Sequence, residues 1–206
     1  MLQFLSIAIC LGVFSSLQAD SLRIVFLGDS LTAGYGLDES EAYPALVGKM
    51  LESDGHSVDI INAGVSGDTS AGGARRINWL TRQPIDILVL ALGANDALRG
   101  QDASGTQANL ERIIESVREA HPDVQILLAG ILAPPNMGTD FRKQFDAIYP
   151  QLARAHEVHL LPFLLEGVAG QPELNLADGI HPNQEGQQKV AELVYDKLSK
   201  VITFSM

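Results

Sequence analysis

Five apolar runs set the frame for this chain. They are residues 23–27 (RIVFL), 58–61 (VDII), 85–92 (IDILVLAL), 124–131 (VQILLAGI) and 158–163 (VHLLPF). A strand with one wet face alternates apolar and polar residues. A strand covered on both faces reads as an unbroken apolar run, and that is the signature of a parallel sheet. The segments between these runs are long enough to carry crossover helices. Residues 43–53, 107–120, 141–156 and 184–200 place their apolar residues three and four apart, and 70–82 does so less regularly. Strand and helix therefore alternate along the chain. The expected fold class is α/β, a three-layer α/β/α sandwich with right-handed crossovers on a five-stranded parallel sheet. The flavodoxin-like strand order 2-1-3-4-5 is expected, with chemistry gathered just beyond the carboxyl ends of the strands.

Length and composition fit one such domain. The chain has 206 residues, 46% of them apolar, with no internal repeat and no low-complexity linker. The first 19 residues carry no charged side chain, and a mixed composition begins at Asp20. This leader is too short and serine-broken to span a bilayer, and it fits a secretory signal ending at Ala19. The other reading of it is an apolar segment docked on the domain. A signal peptide over 1–19, one domain over 20–206 and a periplasmic or secreted location are the expectations. Cys10, the only cysteine, lies inside the leader, so a processed chain has neither a disulfide nor a thiol nucleophile. Lys and Arg number 14 against 25 Asp and Glu, a formal charge of −11, which argues against nucleic-acid binding.

Polar or small residues follow the first four strands. Gly28-Asp29-Ser30 follows the first, Asn62 to Thr69 (NAGVSGDT) the second, Gly93-Ala94-Asn95-Asp96 the third, and Ala133 to Gly138 (APPNMG) the fourth. A further block, Asp178-Gly-Ile-His181, stands just before the last helix. An Asp and a His three apart in a turn can meet, and the carboxylate then fixes the imidazole tautomer. A serine needs such a base within reach to become a nucleophile. Ser30, His181 and Asp178 supply nucleophile, base and orienting acid. The Ser30 N–H, the Gly67 N–H and the Asn95 amide are suitable donors to a developing oxyanion. Asp29 and Asp96 are expected to brace their loops, and Asp68 or Thr69 to cap the helix near Ser70 or to line an acyl entrance. Thr32–Gly36 is expected to be a turn, and Arg75, Arg76 and Trp79 to pack or face solvent. No metal site is expected, since no two histidines share ligand spacing with an acid.

Each block alone fits something blander or different. GDS after a strand is often only a turn with an Asx hydrogen bond. Ser30-Leu-Thr32-Ala-Gly34 also fits the phosphate loop of a flavin-binding electron carrier, which would leave Asn95, Asp178 and His181 idle.

Taken together, GDSL at 28–31, Gly67 within NAGVSGDTS, GAND at 93–96 and DGIH at 178–181 resemble the four ordered signature blocks of the SGNH (GDSL) hydrolases. ALGANDALRG, ILAPPNMG, FDAIYPQLA and LLPF are most similar to the small bacterial periplasmic thioesterase I/lysophospholipase L1 (arylesterase-type) group within it. The departure is Ala94, where glycine is commoner. The resemblance implies a monomeric esterase without metal or cofactor. It implies small-molecule substrates, namely aryl esters, acyl thioesters and lysophospholipids, with no stable membrane insertion. It also implies that Ser30, Asp178 and His181 are catalytic and that Ser30, Gly67 and Asn95 form the oxyanion hole.

Overall fold

Leu22–Gly28 (β1) is the first strand of the sheet. The computed structural model describes residues 21–204, so the expected leader lies outside the described residues. Ser30–Ala33 (α1) and Tyr43–Ser53 (α2) follow β1, and Val58–Gly64 (β2) returns beside it. Ser70–Leu80 (α3) leads to Ile87–Ala91 (β3), then Ala94–Leu98 (α4) and Ala103–Ala120 (α5) to Gln125–Ala129 (β4). Thr139–Asp146 (α6) and Ile148–Ala155 (α7) precede His159–Leu161 (β5), and Gln184–Phe204 (α8) closes the chain. Every strand pair is parallel, and the order is β2-β1-β3-β4-β5, as expected.

Successive residues of a strand point to opposite faces, so a strand buried at consecutive positions is covered on both. Phe26 and Leu27 in β1 are fully buried, and β3 is buried along its whole length. β2 is half-buried throughout because it is an edge strand. The helices pack in groups, α2 with α8, and α3 and α7 with α5. In register, Gly28 pairs with Gly64 and with Ala91. Strands β2, β1 and β3 therefore end level, and the loops that follow them converge.

Element boundaries differ from expectation for local reasons. α5 begins at Ala103 rather than at residue 107, because the Asp102 carboxylate accepts the Gly105 N–H and caps it. The single helix expected over 141–156 is two helices separated at Ala147. Pro150 is the cause. It has no N–H for the Asp146 carbonyl, and its ring would strike that carbonyl in a continuous helix. β5 stops before Pro162 for the related reason that proline cannot donate to a ladder.

Candidate active site

The segment that carries Ser30 is held from several sides. Asp29 is fully buried, and its Oδ1 accepts the Leu31 N–H at 3.0 Å, capping α1. The Thr32 hydroxyl is 2.9 Å from the buried Tyr43 hydroxyl. Gln187 of α8 spans both elements: its Oε1 accepts the Tyr43 N–H at 2.8 Å and its Nε2 donates to the Leu31 carbonyl at 3.2 Å. Ser30 to Ala33 therefore form a short, pinned helix rather than an open loop of free amides.

The structure brings Ser30, His181 and Asp178 into one hydrogen-bonded line. Ser30 Oγ lies 2.9 Å from His181 Nε2, and His181 Nδ1 lies 2.7 Å from Asp178 Oδ2. The other Asp178 oxygen accepts the N–H groups of Ile180 and His181, both at 3.0 Å. These bonds, the Ile180 N–H foremost, hold the Asp178 carboxyl down at about 2. An ionised carboxylate only accepts, so Nδ1 carries the proton and Nε2 is the acceptor facing Ser30 Oγ–H. The turn that carries the pair is closed by the Leu176 N–H bonding the His181 carbonyl at 2.8 Å.

Asn95 stands at the start of α4. Its amide nitrogen donates to the Asp68 carbonyl at 2.9 Å and makes a longer contact, 3.4 Å, to Asp29 Oδ2. One amide hydrogen is thus firmly held and the other only weakly. Asp96 braces this turn as expected: it is fully buried and accepts the N–H and hydroxyl of Ser70, at 2.9 and 2.5 Å, and the Thr106 hydroxyl. Thr69 caps α3 by accepting the Gly72 N–H. Gly67 is exposed with φ of 80°, a left-handed conformation that favours glycine. Its carbonyl accepts from Arg99 Nη2 at 3.0 Å. The N–H groups of Ser30 and Gly67 have no partner among the described residues.

A cavity of about 430 Å³ opens beside this line, within the range of small-molecule sites. Ser30, Asn95 and His181 face it, and its walls include Leu98, Ile131, Leu132, Pro134 and Phe163. Gly67 does not line it. Among the described residues no cluster of three or more His, Cys, Asp or Glu could hold a metal ion.

Sequence reading missed three contributors. Tyr35, assigned to a turn, lays its ring against the His181 imidazole, centroids 4.5 Å apart and planes tilted by 35°. Arg76, assigned to packing or solvent, reaches both Asp68 and the Gly28 carbonyl. Gln187 carried no signal beyond its place on a helix. Tyr35 and Arg76 sit inside or beside the quoted motifs, but their contacts depend on how separate loops meet.

Asp29 carries a consequence for stability. Burial raises its carboxyl from 3.8 to about 6, opposed by the Leu31 N–H. The folded chain therefore favours the proton more than the unfolded chain does. That contribution is fully present below about 3.8 and is lost as pH rises through about 6, a difference of about 3 kcal/mol. Urea unfolding of wild type and Asp29→Asn across pH 4 to 7 checks this. Wild type is expected to lose stability relative to the variant over that window, and parallel curves would refute the assignment.

Comparisons with known proteins identify the family of the chain. The model of the GDSL-like Lipase/Acylhydrolase family matches residues 26–189. The chain is 36% identical to an arylesterase of Vibrio mimicus over 97% of this chain and 99% of that protein. It is 39% identical to thioesterase 1/protease 1/lysophospholipase L1 of Escherichia coli (strain K12), over 92% of this chain and 88% of that one. The crystal structure of TesA superposes with a TM-score of 0.83 at 37% identity, covering 87% of this chain and 99% of that chain. A family match across most of the chain, relatives of full length and a shared parallel sheet carry one conclusion: the chain belongs to the GDSL-like lipase/acylhydrolase (SGNH) family and is a carboxylic ester hydrolase.

Proposed function

We propose that this protein hydrolyses aryl esters, acyl thioesters and lysophospholipids through an acyl-enzyme on Ser30. The observation that carries the proposal is the unbroken line from Ser30 Oγ through His181 to an ionised Asp178, set at the mouth of an apolar cavity. His181 Nε2 takes the Ser30 proton as Oγ attacks the carbonyl carbon. The oxyanion is met by the Ser30 and Gly67 N–H groups and by the weakly held hydrogen of Asn95. The imidazolium returns its proton to the leaving oxygen or sulfur, and the acyl group stays on Ser30. Water then attacks, with His181 as base, and releases the carboxylic acid. Asp178 keeps its charge throughout and stabilises the imidazolium.

The chemistry needs no metal or cofactor, since each proton has a named carrier. The protein works as a monomer, with the leader over 1–19 removed and the domain over 20–206 acting in the periplasm or outside the cell. Among the described residues no helix is long and apolar enough to cross a membrane.

The apolar cavity takes the acyl chain in this reading. Each methylene removed from water is worth about 0.8 kcal/mol, or about fourfold in kcat/KM. On p-nitrophenyl esters of increasing length, kcat/KM is expected to rise by about threefold to fourfold per methylene until the cavity is filled. A flat series would remove the cavity as the acyl site.

A further inference from the structure

We propose that Arg76 is a positioning residue for the oxyanion hole. The proposal rests on the reading of Ser30, Gly67 and Asn95 as oxyanion donors. Those donors come from three separate loops, after β1, β2 and β3. Arg76, on α3, ties all three together.

Its Nε donates to Asp68 Oδ2 at 2.8 Å, and its Nη2 donates to the Gly28 carbonyl at 2.9 Å. Gly28 is two residues before Ser30, and the same carbonyl accepts the Val65 N–H at 3.1 Å. Asp68 follows Gly67 directly, and its own N–H bonds the Val65 carbonyl at 3.0 Å. The Asp68 carbonyl in turn accepts the Asn95 amide at 2.9 Å. One guanidinium therefore fixes the nucleophile strand, the Gly67 turn and, through Asp68, the rotamer of Asn95.

Two features mark this as a built arrangement. The side chains of Arg76 and Asp68 are only 23% and 12% exposed, so the pair is shielded from water. The Asp68 carboxylate folds back against α3 at Gly72, where an added Cβ would lie 1.5 Å from Asp68 Oδ1. The fork geometry explains an arginine here. Its diverging N–H groups reach a carboxylate and a carbonyl at once, and a lysine ammonium is a single point on a flexible stem.

Arg76 does not line the cavity. Its loss should therefore lower kcat and leave KM nearly unchanged. A displacement of about 1 Å in catalytic groups costs about 10²-fold. The test is a cycle of Arg76→Met, Asn95→Ala and the double variant on p-nitrophenyl butyrate. Asn95→Ala is expected to lose roughly 10²–10³ in kcat. Arg76→Met is expected to lose about 10²-fold alone and at least about threefold less than that in the Asn95→Ala background, where only its hold on the Gly28 and Gly67 segments is left to lose. Arg76→Lys should recover part of the loss. Should Arg76→Met fail to fold, Asp68→Asn carries the same cycle, because it removes the charge that Arg76 holds and keeps the carbonyl that holds Asn95.

Equal losses from Arg76→Met in both backgrounds, or wild-type kcat with Asn95 intact, would overturn the positioning role. Wild-type kcat in Asn95→Ala itself would instead overturn the oxyanion reading on which it rests. The two failures are thus distinct.

Discussion

Ser30→Ala is expected to cut the turnover of p-nitrophenyl butyrate by about 10⁶-fold while the chain stays folded. The size follows from the geometry. Ser30 is buried, and its hydroxyl lies 2.9 Å from His181 Nε2. No other hydroxyl in the cavity wall can take its place, because the other residues that line it include no serine, threonine or tyrosine. What remains in the variant is whatever the cavity and oxyanion donors achieve with water as nucleophile, about 10³–10⁴ over the uncatalysed rate. The stability cost should be small, since the change removes one oxygen and opens no apolar void. Loss of activity with an unchanged circular dichroism spectrum and melting temperature checks it. Turnover equal to wild type would remove Ser30 from the mechanism.

His181→Ala is the second large effect, and its pattern carries more information than its size. Serine and base act as a unit, so His181→Ala should cost about as much as Ser30→Ala, and the double variant no more than either. Asp178→Asn should cost less, about 10⁴-fold. The lesser loss has a structural reason. The Asp178 side chain is 37% exposed, and the Ile180 and His181 amides still hold the turn when the charge is gone. Tyr35 also continues to support the imidazole face. Steady-state kinetics of the three single variants and the Ser30/His181 double variant measure this. Multiplicative losses in the double variant would contradict a coupled pair.

The sheet and its order were legible because strand type is written locally. Runs such as ILVLA in β3 are buried on both faces and therefore apolar at every position. Helix ends were less legible. Asp102 and Pro150 both carried usable signals, one as a cap and one as a breaker, and the apolar spacing alone outweighed them.

Within the site, residue types were legible and their supports were not. Serine, Asp-x-x-His and asparagine stand out by residue type, and the structure brings Ser30, Asn95 and His181 to one cavity. Gln187 braces the Ser30 helix from 144 positions beyond Tyr43, and no local pattern records that. Arg76 read as a solvated helix residue because its partners, Asp68 and Gly28, lie on two different loops. The energetic state of Asp29 was equally hidden. A carboxylate between glycine and serine looks like a turn former, and only burial raises it to about 6.

The central claim is that Ser30 becomes covalently acylated. Incubating the protein with a p-nitrophenyl alkylphosphonate, which traps an activated serine as a stable tetrahedral adduct, tests it most directly. One phosphonyl group per chain is expected, with p-nitrophenol released in step with the loss of esterase activity. Peptide mass spectrometry should find the added mass on Ser30, and Ser30→Ala should take none. Complete inactivation with the adduct on another residue, or a fully active protein that stays unlabelled, would contradict the account.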